Sequence, residues 1–335
     1  MPGIGVISNR NARLNKLHPE LKDQLAYVIG SNGEVSSTGS IQDAYHAVET
    51  FRKIGIDIVA ISGGDGTAHH TMEILTKVYD NHPIPPILLL PTGTQNMVPR
   101  SFGIEGSGLA NLMLASLRYR HNMPMYCIKR NLLRVNGHLS FMFGMGVAAR
   151  FMVEYYNSGE TNPKGAAKLL AKLCASAATD GDLCKNMMKR VGCRLVIDDE
   201  PVADQTEVHT LFCSFVERLP LHFVLFPRSG ADEGVFEIAY SNVKPLKIAL
   251  DFPSILAGNP RPLSSLTRKL GRKMVIDLDS PESYTLDGDL YPAETHFEIE
   301  AGPELNFVVP ALQYKAEDEN LRYSQIGPWS MRFLL

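Results

Sequence analysis

Short apolar runs alternate with segments of helical periodicity in the first third of the chain. Buried strands are predicted at 4–8, 35–37, 56–61 and 87–90, each followed by a polar turn and then by apolar residues at helical spacing. Repeated strand–helix units of this length are typical of a parallel sheet with right-handed crossovers. Ligands of such sheets bind beyond the carboxyl ends of the strands, so we expect a site at the turns that follow them.

The most informative of these turns, Ser62–Thr67, joins the strand at 56–61 to a helix. It contains three glycines, whose missing Cβ atoms let a phosphate approach the backbone. Thr67 is the expected N-cap of a helix whose free N–H groups attract an anion. Asp65 adds a carboxylate suited to a metal or to a hydroxyl proton. A tight turn without a ligand is the alternative, but an aspartate among the glycines favours phosphate binding.

Two further polar turns, at 9–13 and 92–96, end other strands of the same predicted sheet. Both are rich in Asn, Thr, Arg or Gly. One polar loop alone carries little information. Three of them at one sheet edge predict a nucleotide pocket.

The pattern changes after Pro124. The Asn136-Gly137 pair lies between apolar runs and predicts a β-hairpin, and a helical insert is predicted over 147–157 and 164–178. Short strands are then predicted at 193–197, 208–215, 222–226, 234–240, 273–278, 296–299 and 305–309, with a proline-rich connection at 253–262. So many short strands favour an antiparallel sandwich or open barrel.

This organisation predicts an α/β N-terminal domain with a doubly wound parallel sheet at 1–123. A β-rich domain with the helical insert follows at 124–310, and a tail at 311–335 is expected to pack back on the first domain.

The composition of the 335 residues, 44% hydrophobic and 21% charged, is that of an ordinary globular protein. A net charge of −3 argues against binding nucleic acid by bulk electrostatics. The five cysteines have no C-x-x-C pairing and are expected to be reduced thiols. The N-terminus lacks the build of a signal peptide, and no apolar run reaches the length of a membrane span. We therefore expect a cytoplasmic protein without a transmembrane segment; the oligomeric state stays open, a homodimer included.

Two acidic turns in the second predicted domain carry candidate chemistry, one at 230–235 and one at 286–290. Asp-Gly is ordinary hairpin sequence, so either turn alone has a sufficient structural explanation. Phosphoryl transfer to a hydroxyl, however, needs a positioned carboxylate to accept the proton and a divalent cation on the phosphates. An acidic turn that closes over the glycine turn would supply the carboxylate in a cleft.

Three motifs together resemble a known family. Ser-Gly-Gly-Asp-Gly-Thr67, Pro-Thr-Gly-Thr-Gln-Asn96 and Leu-Asp-Gly-Asp289, in this order and spacing, are similar to the diacylglycerol kinase catalytic-domain family, which includes bacterial lipid kinases and sphingosine kinases. The resemblance spans nearly the whole chain. It implies a two-domain lipid kinase that uses ATP and Mg²⁺ to phosphorylate a hydroxyl of a diacylglycerol-like or sphingoid lipid, met at a membrane surface.

The same resemblance assigns site residues. It implies nucleotide contacts by Asn9, Thr38, Gly63, Gly64, Asp65, Gly66, Thr67, Thr94 and Asn96. Asp289 stands where the family has its proposed general base, and Asp65 would help to place the magnesium. Glu233, with the backbone oxygens of Gly230 and Val235, falls on the family's structural magnesium site.

Several positions depart from the family pattern. The first loop reads Asn-Arg-Asn-Ala-Arg13, Met97 stands where an aspartate is usual, Asp289 replaces a glutamate, and Glu233 replaces an aspartate. Two alternatives therefore stay open. An NAD kinase-like enzyme shares the Gly-Gly-Asp-Gly turn and would use Asp65 as its base. A catalytically silent nucleotide- or lipid-binding protein would bind without transfer.

Two groups of residues lie outside these motifs. His69 and His70 follow the glycine turn, and because neighbours on a helix point apart they are not expected to chelate one metal. Lys164, Lys168 and Lys172 recur at four-residue spacing and are interpreted as a solvated helix face, with a membrane-surface contact as the alternative.

Overall fold

The chain folds into two compact units. The computed structural model describes residues 3–93, 96–160, 162–179, 181–203, 206–217, 224–230, 232–245, 247–248, 250–251, 265–310 and 323–326. One unit consists of Met1–Arg130 and Pro303–Leu335, and the other of Asn131–Gly302.

Strands and helices alternate through the first unit. In chain order they are β1 (Ile4–Asn9), α1 (Arg13–Leu17), α2 (Leu21–Ile29), β2 (Gly33–Thr38), α3 (Ile41–Ile54), β3 (Ile58–Gly63), α4 (Asp65–Tyr79), β4 (Ile87–Pro91), α5 (Met97–Ser101), α6 (Gly108–Arg120) and the start of β5 (Met125–Val135). β1 pairs in parallel with β2 and with β3, and β3 pairs in parallel with β4. The predicted α/β fold with a parallel sheet is thus confirmed.

The apolar runs form the centre of this sheet. Every residue of β3 is buried, as expected for a parallel strand covered by helices on both faces. α4 buries Met72, Leu75 and Tyr79, the residues that the helical spacing placed on its inner face. Ser40 and Asp43 form a reciprocal capping box that fixes the start of α3.

The second unit is mainly antiparallel. After the end of β5 it contains β6 (His138–Ser140), β7 (Met142–Gly146), α7 (Val147–Asn157), α8 (Pro163–Ala178), α9 (Asp182–Met187), β8 (Val191–Ile197), β9 (Glu200–Pro201), β10 (Glu207–Val208), β11 (Thr210–Ser214), β12 (Phe236–Ser241), β13 (Thr267–Gly271), β14 (Lys273–Leu286) and most of β15 (Asp289–Val309). β11 lies between β7 and β12, and β14 pairs with β7, β8 and β15, all antiparallel. The predicted antiparallel region is confirmed, as is the hairpin at Asn136-Gly137.

The last strands return to the first unit. The end of β15 pairs in parallel with β4, Phe307 opposite Ile87. β16 (Tyr323–Ile326) pairs with β5 and is the part of the predicted tail that the structure describes. None of the helices in the described part of the chain combines the length and the apolar character needed to span a bilayer.

The strand lengths differ from the prediction. The segments predicted as separate strands at 273–278, 296–299 and 305–309 belong to β14 and β15, which are 14 and 21 residues long. Register shifts between Asp277 and Tyr284 interrupt their pairing, and such bulges break the alternation by which a strand is recognised. The predicted strand at 222–226 lies partly outside the described residues, and the connection at 253–262 lies wholly outside them.

A buried histidine anchors the start of α7. The backbone carbonyl of His209 accepts the N–H of Val147 at 2.8 Å, and its ring Nε2 lies 3.0 Å from the carbonyl oxygen of Val243. The residue is 1% exposed. Burial lowers the pKa of His209 from its ordinary value of 6.5 to about 4, so the folded protein keeps the ring neutral and Nε2 donates to Val243.

We expect the free energy of unfolding to fall as the pH is lowered from about 7.5 to about 5, with about 2 kcal/mol of the fall due to His209. The unfolded chain takes up a proton at this residue near pH 6.5, whereas the folded chain does so only near pH 4, so acid favours unfolding. Urea denaturation of the wild type, His209→Gln and the exposed control His46→Gln at both pH values measures the effect. Equal pH dependence in all three would contradict it.

Candidate functional site

The turns that follow the parallel strands lie at one edge of the first unit's sheet. The register aligns Asn9 of β1 with Thr38 of β2, and Gly63 of β3 with Pro91 of β4. Because β1 also pairs with β3, all four carboxyl ends lie level. The structure therefore brings together the polar turns from which the sequence predicted a nucleotide pocket.

The glycine turn leads directly into α4. The helix begins at Asp65, and Gly64 is its N-cap, so the prediction that Thr67 caps the helix is wrong. Thr67 instead lies in the first helical turn, because Asp65 and Gly66 already adopt helical geometry. A glycine N-cap contributes no side-chain hydrogen bond, and residues 64–67 are half-buried. The positive end of the helix dipole and its first-turn amides are thus presented where an anion would bind.

Close packing requires glycine in this region. A Cβ on Gly63 would overlap the side chain of Thr67, and a Cβ on Gly93 would overlap the Cα of Gly64. The glycine turn and the turn after β4 consequently meet backbone against backbone. These glycines are therefore required by packing within the protein, and the predicted phosphate-binding role depends on the first-turn amides of α4.

Side chains of the first loop support the glycine turn. Asn9 donates from Nδ2 to Thr67 Oγ1 at 2.8 Å, and its own Oδ1 accepts the N–H of Asn11 at 2.9 Å. Asn15 donates to the backbone carbonyl of Asn9 at 2.7 Å. Asn15, which is 8% exposed on the inner side of α1, was not predicted from the sequence, where its only signal is an asparagine between Leu14 and Leu17. Arg10 lies against Gly39 and brings a positive charge to the same edge.

Asp65 and Asn96 connect the glycine turn to the turn after β4. Asp65 Oδ1 accepts the N–H of Val98 at 3.2 Å. Asn96 has a φ of 48°, and its Oδ1 accepts the N–H of Gly93 at 3.0 Å, which shapes that turn. Thr38 is buried, with its hydroxyl 3.5 Å from the carbonyl oxygen of Ser8. Thr94 lies outside the described residues.

The second acidic turn of the sequence is a tight hairpin in the second unit. Leu286 pairs with Asp289 across Asp287-Gly288, whose φ values are 51° and 99°. The Asp287 carboxylate is buried and accepts the N–H groups of Phe141 and Met142, at 3.0 and 2.9 Å. Asp287 therefore has a structural role, which the sequence analysis did not assign.

A tyrosine from α7 holds the same hairpin. Tyr156 donates its hydroxyl to the carbonyl of Gly288 at 3.1 Å. Partial burial raises the pKa of Tyr156, and the negative charges of Asp289 and Tyr155 add to the shift. The Asp289 side chain, itself half-buried, is thus close to the phenol. Since 132 residues separate Tyr156 from Gly288, no local sequence signal identified the contact.

The first acidic turn, at 230–235, precedes β12. Gly230 and Gly234 have positive φ, and the N–H of Gly234 donates to Asn131 Oδ1 at 3.0 Å. The side chain of Glu233 is exposed, while its backbone carbonyl accepts a hydrogen bond from Arg272 at 3.0 Å. Carboxylate and carbonyl oxygens are ligands of the type that Mg²⁺ prefers, so the donor set fits the predicted ion, with Glu233 contributing through its carboxylate.

Comparison with known proteins agrees with the motifs. Residues 4–127 match the family model of the diacylglycerol kinase catalytic domain, which confirms the resemblance. No curated protein matches the chain. A solved structure from Bacillus anthracis str. Sterne, assigned as a diacylglycerol kinase, aligns with a TM-score of 0.67 and 15% identity over 92% of this chain and 96% of that one. Another diacylglycerol kinase structure from that organism aligns with a TM-score of 0.61, at the same identity and coverage. At this identity the likeness shows a shared fold.

Proposed function

We propose that the protein is an ATP-dependent lipid kinase, because residues 4–127 match the family model of the diacylglycerol kinase catalytic domain. It transfers the γ-phosphoryl group of ATP to a hydroxyl of a diacylglycerol-like or sphingoid lipid at a membrane surface. The main observation in support of the proposal is the glycine turn, because α4 begins in it, at the carboxyl edge of the parallel sheet.

In this proposal the first unit binds the nucleotide. The first-turn amides of α4 hold phosphate oxygens, and Asn9 keeps Thr67 in place for the same purpose. Asn96 shapes the neighbouring turn, and Asp65 ties that turn to α4. The residues proposed to contact ATP are Asn9, Thr38, Gly63, Gly64, Asp65, Gly66, Thr67, Thr94 and Asn96.

The second unit supplies the proton acceptor. Asp289 takes the proton from the lipid hydroxyl as that oxygen attacks the γ-phosphorus, the bond from this phosphorus to the β,γ-bridging oxygen breaks, and ADP leaves. Asp287 and Tyr156 fix the hairpin from which Asp289 extends, and so restrict the positions of its carboxylate. Gly230, Glu233 and Val235 would hold a structural magnesium ion. Asp65 would separately help to place the magnesium on the phosphates. Bound Mg²⁺ would offset the charge of the phosphate oxygens during transfer.

Radiolabelled ATP tests the proposal. The full-length chain is incubated with Mg²⁺ and separately with vesicles containing diacylglycerol, vesicles containing a sphingoid base, vesicles without an acceptor, and NAD. We expect label in one of the lipids, none in the acceptor-free vesicles, and loss of the signal when the metal is chelated. Labelled NADP would favour the NAD kinase-like alternative. Binding of ATP without transfer to any acceptor would favour a silent binding protein, and either outcome would overturn the proposal.

A further inference from the structure

Three side chains capable of binding a metal lie together on α4. His69 Nε2 is 3.9 Å from Glu73 Oε1, and His70 Nδ1 is 3.8 Å from Glu73 Oε2. The potential ligand atoms of the three residues all lie within 4.8 Å of one another. This His69–His70–Glu73 cluster has no role in the proposed kinase chemistry.

Helix geometry explains why the cluster forms. Adjacent residues on an α-helix are rotated by about 100°, which is why two neighbouring histidines alone point apart. Glu73 is four residues from His69 and three from His70, so it lies on the next turn at an angle between them. The two imidazole rings meet edge to face, with centroids 4.8 Å apart and an interplanar angle of 88°. The carboxylate thus bridges two histidines that could not share an ion by themselves.

The separations approach those of one coordination shell. Zinc binds imidazole nitrogen and carboxylate oxygen at about 2.0–2.2 Å, so two ligands of one tetrahedral ion lie roughly 3.4 Å apart. The two short histidine–glutamate distances, 3.9 and 3.8 Å, involve different carboxylate oxygens and exceed that spacing by about half an ångström. The limit of 4.8 Å for one ligand atom from each residue exceeds it by roughly 1.4 Å, so binding would require the partly exposed side chains of His70 and Glu73 to move inward.

Solvent exposure increases across the cluster from His69 through Glu73 to His70. The side chain of His69 is 0% exposed, that of Glu73 is 14% exposed and that of His70 is 38% exposed. Packing therefore fixes the inner ligands, while the outer histidine leaves a route from solvent. Ligands held by packing before the ion arrives are those that bind it most tightly.

We propose that His69, His70 and Glu73 form a binding site for one divalent transition metal of the Zn²⁺ type. Two imidazoles and a carboxylate suit Zn²⁺, Co²⁺ or Ni²⁺, whereas Mg²⁺ and Ca²⁺ prefer oxygen ligands throughout. Three protein ligands leave a coordination position open to water. The site is distinct from the magnesium turn at 230–235 and does not depend on the kinase assignment.

Metal titration of the full-length chain, stripped of metal and kept reduced, tests this proposal. Zn²⁺ is titrated by calorimetry, and Co²⁺ by its visible absorption, which reports the number and type of ligands. We expect saturable binding of about one equivalent, with a Co²⁺ spectrum that lacks thiolate charge-transfer bands. That feature excludes binding through a cysteine, of which Cys174 is the one that is not buried.

Variants locate the site. His70→Ala and Glu73→Gln are expected to weaken Zn²⁺ binding about tenfold or more. These two side chains are partly exposed, unlike that of His69, so their replacement disturbs the packing less. His46→Ala is the matched control, because His46 and Glu49 form an exposed two-residue pair on the neighbouring α3 and should not contribute. Circular dichroism verifies the fold of each variant. The absence of saturable binding, or equal affinity in wild type, His70→Ala and Glu73→Gln, would overturn the proposal.

Discussion

Asp289→Asn is expected to slow phosphoryl transfer to lipid by about a hundredfold to ten-thousandfold and to leave ATP affinity unchanged. Asparagine has nearly the shape of aspartate but cannot accept the proton of the attacking hydroxyl. The Leu286–Asp289 pairing is made by the backbone and the Tyr156 hydroxyl binds the Gly288 carbonyl, so neither requires the Asp289 carboxylate. Initial rates with radiolabelled ATP, together with calorimetric ATP binding, measure the two effects separately.

Asp199→Asn is the matched control for this experiment. Asp199 lies in the two-residue turn of another hairpin of the second unit, has a φ of 67° and is exposed, and has no proposed part in transfer. Its replacement should leave the rate unchanged. If Asp289→Asn retained wild-type activity, the base assignment would fail. If only Asp65→Asn abolished transfer, and the labelled acceptor were NAD, the NAD kinase-like alternative would be correct.

Asp287→Ala is expected to lower the free energy of unfolding by about 2–5 kcal/mol. The substitution removes the buried carboxylate and leaves the amides of Phe141 and Met142 without their acceptor. It also places alanine at a φ of 51°, which aspartate and asparagine tolerate better. Denaturant unfolding at neutral pH measures the loss.

Two further variants separate burial from turn geometry. Asp198→Ala removes an aspartate that occupies the same position in another hairpin and accepts the N–H groups of Arg272 and Lys273, but at an exposed site. Its cost should be about 1 kcal/mol. Asp287→Asn keeps the backbone preference and one acceptor oxygen, and should fall between the two. If Asp287→Ala and Asp198→Ala cost the same, burial of the carboxylate is not the main cause.

The features that the sequence revealed are local ones. The strand at 56–61 and the glycine turn after it are contiguous, and their order alone predicts that a helix N-terminus faces the ligand edge of a parallel sheet. The Asn136-Gly137 hairpin is equally local, since its two residues select the turn geometry. The family match over 4–127 covers the strand and the glycine turn but not the hairpin.

Two of the features that the sequence did not reveal depend on partners far along the chain, and two others are local. Asp287 acquires its structural role from amides 145 and 146 residues away, and Tyr156 reaches a carbonyl 132 residues away. The position of the N-cap was mispredicted because Thr67 is a common capping residue, whereas the cap fell on Gly64, which has no side chain to signal it. The prediction that His69 and His70 do not chelate one metal considered only the two histidines and omitted Glu73, which lies one turn further along the helix.

The contact between Gly64 and Gly93 couples the residues that can be accommodated at these two positions. A side chain at position 93 would collide with the main chain at position 64, whereas a Cβ at position 64 would lie 3.3 Å from the Cα of Gly93 and would need only a small shift. In a mutational library that randomises both positions, the surviving pairs should therefore be correlated, with larger residues at 93 tolerated only where the loop at 64 has been rebuilt.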